Sequence, residues 1–445
     1  LTRVSPSIFS ASSSLASRLR PPGEVAHVVA CLRRRGFEAF LVGGALRDAL
    51  LGLPTRDWDV ATEAPCQVVM SMFPKVIPTG IRHGTLTVVL GQAKVEVSTF
   101  RGADILEDLG HRDLTINALA WDPSGASILD PFGGLRDLRS KLVRGVGDPL
   151  ARLEEDPLRA IRAFRICGEL GFRMHRETFL AIARAARGLE RVSPERIREE
   201  LTRILLAPRP SFPLRGMSKS GTLQVVLPEL TGSPKASRSG RSRRLERVFR
   251  SVDLLPPQAS LRWAALLRGI RQRKKGPGET GLDGLSGRGR FLGGAARMVL
   301  SRLRFSRREI RHVTELIAHT DLLVGVLPSD ASVRHLVATM GIEGISDALA
   351  LLRAELTAGC AAATDLARIP ELEARVEALV RCGGSQRLRP VLGGAEVMEI
   401  LGIPPGPPVG QILRSLQDLV IQDPSSNDRE YLAEWLRRGY SGEGH

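Results

Sequence analysis

A chain of 445 residues is too long for one hydrophobic core and calls for two to four domains in series. Hydrophobic residues make up 43%, enough for folded domains, yet no apolar run approaches the roughly 20 residues of a membrane-spanning helix, so a soluble protein with no membrane partner is expected. Lys and Arg total 64 against 48 Asp and Glu, and this +16 balance, carried mostly by Arg, favours a polyanionic partner, although a basic surface alone also fits a ribosomal or membrane-surface protein.

Residues 1–23 hold seven Ser, three Arg and no acid, a composition shared by a disordered tail and a transit peptide. A disordered tail is the expectation, and with it a cytoplasmic protein; a transit peptide would place the chain in an organellar matrix. The five cysteines (Cys31, Cys66, Cys167, Cys360, Cys382) form no CxxC pair, which argues against a disulfide framework or a zinc site and casts all five as packing residues.

Over the first third of the chain short apolar runs alternate with helical patterns. Residues 39–42, 58–61, 85–90 and 95–100 read as strands and 25–35 and 45–51 as helices, an α/β head. From about Pro157 strand signals nearly vanish; 158–170, 194–206 and 261–270 show helical spacing, so the rest is predicted all-α. Residues 231–244 and 271–294, rich in Gly, Ser, Lys and Arg, are predicted loops or disordered insertions. Gly402-Ile403-Pro404-Pro405-Gly406 separates a short helical segment from another over 409–420. The expected division is a catalytic head over 24–150, a helical neck over 151–207, a helical body over 208–390 and a helical tail over 391–445.

Leu41-Val42-Gly43-Gly44-Ala45-Leu46-Arg47-Asp48 reads as strand, Gly-Gly turn and helix, which aims backbone N–H groups and a helix N-terminus at an anion. Alone, a Gly pair there is more often steric than functional. Asp57-Trp58-Asp59 follows, however, with two carboxylates that a strand would place on one face while Trp58 and Val60 enter the core. Adjacent like charges repel, and divalent cations turn them into favourable ligands; a lone DxD would instead be a solvated strand end. Paired Mg²⁺ ions activate a 3′-hydroxyl, hold a triphosphate and stabilise departing pyrophosphate, so the combination points to nucleotidyl transfer. Asp57 and Asp59 are then the catalytic and metal-binding residues, and Arg47 a candidate phosphate contact. Glu96, on the strand Val95-Glu96-Val97, is a candidate third carboxylate and equally an ordinary strand-surface Glu.

Gly43-Gly44 with Arg47-Asp48 and the Asp57/Asp59 pair resembles motif A of the class II tRNA nucleotidyltransferase and bacterial poly(A) polymerase family, and later motifs follow in the family's order. The resemblance is strong over residues 24–204 and looser over 392–438. It implies an α/β nucleotidyltransferase head of the DNA polymerase beta superfamily type, followed by all-α neck, body and tail domains. It also implies Mg²⁺ as cofactor, tRNA as partner, and CTP and ATP as substrates.

His111-Arg112-Asp113-Leu114-Thr115-Ile116-Asn117-Ala118 resembles motif B, usually RRDFTINA, which makes Arg112, Asp113 and Asn117 ribose or triphosphate contacts. His111 and Leu114 depart from the usual Arg and Phe, which leaves the role of that first Arg open. Asp130-Pro131-Phe132-Gly133-Gly134-Leu135-Arg136-Asp137-Leu138 resembles motif C, a structural link of turns. Glu155-Asp156-Pro157-Leu158-Arg159-Ala160-Ile161-Arg162 resembles motif D, the amino-acid template for the incoming base, and adds Asp156, Arg159 and Arg162 to Gly43 and Gly44 as nucleotide-binding residues. Cytosine and adenine each set an amino donor beside a ring-nitrogen acceptor, a pattern that one Asp and one Arg three residues apart on a helix satisfy. The competing reading makes Asp156 a cap ahead of Pro157, and both can hold. The segment from Ser193 to Leu201 resembles motif E, and Thr79-Gly80-Ile81-Arg82-His83-Gly84-Thr85 matches a segment before the third head strand.

Residues 261–270 resemble the helix that carries His-Asp in HD phosphohydrolase domains, but Arg268-Gly269 stands where the metal ligands would be, so phosphohydrolase activity is not expected. Only ten residues, Gly102 to His111, separate Arg101 from Arg112, where the family usually has a longer flexible loop that acts as a lever between CTP and ATP modes. That truncation resembles the CC-adding subset, which relies on a separate A-adding enzyme acting on the same tRNA. Motif content leaves CCA or CC addition and poly(A) polymerization open. A tRNA-binding protein with an inactive transferase head is a third reading, which intact Asp57 and Asp59 oppose.

Overall fold

Ala39–Val42 (β2) is apolar and buried along its whole length, as a strand inside a sheet covered on both faces must be. The computed structural model describes residues 8–10, 19–55, 57–81, 84–123, 127–232, 238–270, 282–325, 330–359, 368–381 and 388–440. In spatial order its main sheet runs Ile8–Ser10 (β1), Ser127–Leu129 (β8), Ala120–Asp122 (β7), β2, Asp59–Thr62 (β3), Ala93–Thr99 (β6), Thr85–Leu90 (β5) and Val76–Gly80 (β4). Among these strands β3 and β6 pair in parallel, and the other neighbours pair antiparallel. The expectation of a disordered tail over 1–23 does not hold at Ile8–Ser10, where β-forming Ile8 and Phe9 belong to a strand that pairs with β8.

Gly23–Arg34 (α1) and Gly43–Leu51 (α2) flank β2, and the second of them begins on the Gly pair itself because Gly43 adopts φ +80°. Cys66–Met72 (α3) follows β3, and Ile105–Gly110 (α4) follows β6. Phe40, Val42, Ala61, Phe100, Ile105 and Leu109 form one core cluster, which holds β2, β3 and α4 together. Burying each such side chain contributes roughly 1.5–3 kcal/mol.

Gly134–Arg139 (α5) leads to Leu142–Val143 (β9), which pairs in parallel with Arg173–Met174 (β10). This pair corrects the expectation of purely helical structure after Pro157; two-residue strands carry too little alternation to read from sequence. The same unit holds Pro149–Glu155 (α6), Arg159–Leu170 (α7), which packs against this pair, Arg176–Ala185 (α8), Pro194–Leu206 (α9), Ser211–Ser220 (α10) and Thr222–Val226 (α11). Pro194 opens α9 at a first-turn position that needs no N–H. Arg165 on α7 pairs with Glu200 on α9 at 2.7 Å. These helices and the sheet form one compact unit, Leu1–Val226, so the expected head and neck lie together in it.

The second unit, Leu227–His445, is built of helices, with no strand among its described residues. Pro228–Thr231 (α12) is followed by Arg238–Asp253 (α13), which corrects the loop expected up to residue 244. Leu245, Val248, Phe249 and Val252 are buried along one side of it, and that packing stabilises its Arg- and Ser-rich start. Ala259–Arg268 (α14) is nearly all buried. Leu282–Arg302 (α15) corrects the second expected loop from residue 282 onward, with Leu292, Ala296, Val299 and Leu300 buried; residues 271–281 lie outside the described residues. Arg307–Gly325 (α16), Asp330–Thr357 (α17, kinked at Gly341) and Arg368–Arg381 (α18) complete the bundle.

Gly394–Leu401 (α19), Pro407–Gln422 (α20) and Arg429–Tyr440 (α21) share a separate small core of Val397, Ile412, Leu416, Val420, Leu432 and Leu436. No helix among the described residues is long and apolar enough to cross a membrane. Cys167 is buried, and burial pushes its thiol up to about 12, as befits a packing residue; Cys360 and Cys382 lie outside the described residues.

Candidate active site

The turn from β2 into α2 brings the chain's first glycine pair against the first residue of β3. A Cβ on Gly43 would overlap Asp59 Oδ2 and lie 3.3 Å from Arg112 Nη1, so a hydrogen at this position is what allows the carboxylate and the guanidinium to close over the turn. Asp59 is the register partner of Glu96 across the parallel β3/β6 junction. With Gly43, Gly44 and Arg112 these two carboxylates line a cavity of about 230 Å³, to which Asp113, Asn117, Arg159 and Arg162 also contribute.

Burial, then the carboxylate of Glu96 and that of Asp57, push Asp59 up to about 6, against the pull of Arg112. Asp57 itself is exposed, precedes the strand and is absent from the cavity lining. The shared-strand placement of Asp57 and Asp59 is therefore corrected. The β2/β3 ladder ends at the Val42–Asp59 pair because β2 gives way to the Gly43 turn, so Asp57 has no strand residue opposite it on that side.

Among the described residues no group of three or more His, Cys, Asp and Glu side chains forms a ready cation cage. A hard divalent cation nevertheless needs only one or two protein carboxylates when triphosphate oxygens complete its shell. Asp59 and Glu96, whose repulsion raises Asp59, fit that requirement, with Asp57 close enough to add charge.

Behind this wall runs a polar chain linking elements far apart in sequence. Arg47 Nη1 donates to Asn117 Oδ1 at 2.8 Å, Asn117 Nδ2 donates to Asp113 Oδ1 at 3.0 Å, and Asp113 Oδ2 lies 3.3 Å from Arg162 Nη2. Burial opposes the charge on Asp113 most strongly, but Arg162, the Asn117 bond, Arg159 and Arg112 together hold its carboxyl below the usual range. Arg47 is buried, also pairs with Asp48 at 2.7 Å and is absent from the cavity lining. In the structure Arg47 supports Asn117.

Arg112 pairs with Asp108 at 3.0 Å, and the other Asp108 oxygen accepts from the Arg101 backbone at 3.1 Å. Asp108 therefore clamps both ends of the short segment between β6 and motif B. Sequence reading missed it, although Asp104 capping the Glu107 N–H is a legible helix start.

Arg159 Nη2 donates to the His111 carbonyl at 2.8 Å and Nη1 to Glu155 at 3.1 Å. Asp156 accepts from Leu158 N at 3.2 Å, the capping role, and from Arg196 Nη2 at 2.7 Å. Arg159 and Arg162 line the cavity and Asp156 does not. Arg196, in motif E, was not singled out as a partner of the template; forty residues separate it from Asp156. In motif C, Asp130 accepts from Gly134 N at 2.6 Å and Leu135 N at 3.0 Å, a turn-stabilising arrangement. Arg82 and His83 lie outside the described residues.

Residues 39–144 match the model of the poly A polymerase head domain, and residues 171–232 that of a probable RNA and SrmB-binding site of polymerase A. The CCA-adding enzyme of Streptococcus gordonii is 30% identical over 431 residues, covering 93% of this chain and 96% of the relative. That of Geobacillus stearothermophilus is 38% identical over 237 residues, covering 49% of this chain and 58% of its own. The crystal structure of the Bacillus stearothermophilus CCA-adding enzyme in complex with CTP superposes with a TM-score of 0.71 at 27% identity, over 94% of this chain and 98% of the other. With its motifs in order, its head fold matched and its length spanned by such a relative, the chain belongs to the class II family of CCA-adding enzymes and poly(A) polymerases, nucleotidyltransferases that depend on a divalent metal.

Proposed function

We propose that the chain adds nucleotides from CTP to the 3′ end of tRNA, with Mg²⁺ as the metal, in the cytoplasm. The observation that carries this reading is the pairing of Asp59 with Glu96 on one wall of a cavity lined also by Arg112, Arg159 and Arg162. The carboxylates would hold Mg²⁺, which supplies activation of the attacking hydroxyl and neutralises developing charge. Arg112 and Arg162 present cationic forks to the triphosphate. Asp156 and Arg159 read the base edge, and the Arg196 bond orients the Asp156 carboxylate.

The product we propose is CC, with a separate A-adding enzyme completing the end. Residues 102–111 hold the capped helix α4, and Asp108 ties it to Arg101 and Arg112, an arrangement suited to a fixed strut and ill suited to a lever. The test is incorporation of labelled CTP into tRNA lacking its CCA end. The unmodified chain is expected to exceed an Asp57→Ala, Asp59→Ala double variant by roughly a thousandfold or more, the scale of removing a catalytic metal site. Equal rates would support an inactive transferase head.

A further inference from the structure

His111 stands where the resembling motif carries Arg, and its surroundings fix its chemistry. Its Nδ1 lies 3.0 Å from Arg152 Nη1. A guanidinium only donates, so Nδ1 must accept; the ring is neutral and carries its proton on Nε2. The residue is held on three other sides. Its backbone N–H donates to Glu107 O at 3.2 Å and Asp108 O at 3.1 Å, and its carbonyl accepts from Arg159 at 2.8 Å. Arg152 is itself restrained, through Glu155 at 2.7 Å and the Gly110 carbonyl at 3.2 Å.

His111 lines the cavity together with Arg112 and Arg159, and among the described residues its Nε2 has no hydrogen-bond partner. We propose that His111 Nε2–H donates a hydrogen bond to an acceptor oxygen of the incoming nucleoside triphosphate, with Arg152 acting as the positioning residue that keeps the proton on that nitrogen. A neutral one-proton donor replaces a cationic fork here, so the contact selects geometry more than charge. The proposal rests on the reading of this cavity as the nucleotide site.

Two amide variants separate contact from scaffold. His111→Asn sets an acceptor near the Nδ1 position for Arg152 and removes the donor into the cavity; His111→Gln sets a donor near the Nε2 position and gives up the Arg152 acceptor. CTP affinity and KM are measured on the full chain, with melting temperature as a control. The expected result is that His111→Asn weakens CTP binding by about 3- to 10-fold, the worth of one neutral hydrogen bond, while His111→Gln stays closer to the unmodified chain. The reverse order, with His111→Asn unaffected and His111→Gln impaired, makes the ring a structural ligand of Arg152 and overturns the proposal. Long-range proton–nitrogen spectra of histidine-labelled chain give a second reading: an Nε2–H tautomer at His111 supports it and an Nδ1–H tautomer refutes it. An unmodified chain that binds no CTP would overturn the nucleotide-site reading itself, a different failure from either variant result.

Discussion

Asp59 and Glu96 are register partners on the two parallel strands of the described sheet, and no described cation forms an ion pair with either. Burial first, and the Glu96 carboxylate second, hold the proton on Asp59 to about 6, where an ordinary Asp releases it at 3.8. A folded-state value above the unfolded one means that its contribution to stability is present below the unfolded value and lost as pH rises through the folded one. Without metal, Asp59→Asn is expected to stabilise the chain at pH 8 by about 1–2 kcal/mol, after discounting for solvent screening, and to give no gain at pH 4. Urea melts at the two pH values, with metal chelated, check this.

The same pair sets the pH dependence of catalysis. Under the proposed function cation binding requires ionised Asp59, so kcat/KM is expected to fall as pH drops below about 6. Glu96→Gln removes a charge that raises Asp59, so its acid limb should move to lower pH, while the metal-binding role proposed for Glu96 predicts a plateau rate lower by roughly tenfold. An unshifted limb in the variant would mean that Glu96 does not face Asp59 in solution.

Gly43→Ala is expected to abolish most activity with little loss of structure. The methyl meets Asp59 Oδ2, and a non-glycine residue at φ +80° carries a strain of roughly 1–3 kcal/mol. Circular dichroism retained alongside a hundredfold or greater loss of CTP incorporation, roughly the effect of displacing a catalytic group by an ångström, is the result to look for.

In the second unit Arg268 lies 2.7 Å from Asp321 and 2.6 Å from Glu355, deep in the helical bundle. Where an HD helix would hold a metal, this chain has a guanidinium neutralising two acids. Arg268→Met should therefore destabilise the chain by about 3–5 kcal/mol by leaving both acids uncompensated. Adding Asp321→Asn and Glu355→Gln should recover much of the loss, as read by thermal melts.

Local pattern carried much of this fold. Ala39–Val42, Thr85–Leu90 and Pro194–Leu206 have the bounds their patterns predict, because each is a regular apolar rhythm bounded by Gly or Pro signals. The starts of α13 and α15 were hidden, since their helicity depends on packing of Val248, Phe249 and Val299 that Gly, Ser and Arg composition does not reveal. At the site, Asp59, Arg112 and Arg162 were visible as motif residues. The inward turn of Arg47 toward Asn117, seventy residues away, and the grip of Arg196 on Asp156 are tertiary facts with no local signature.

The most direct test of the account is to incubate the full chain with Mg²⁺, CTP and ATP on tRNA lacking CCA, and separately on tRNA ending in CC, and to read product lengths at single-nucleotide resolution. The expected result is two added nucleotides on the first substrate and none on the second. Three and one would show that the short strut between β6 and motif B does not prevent A addition, and a long A ladder on general RNA would contradict tRNA end synthesis altogether.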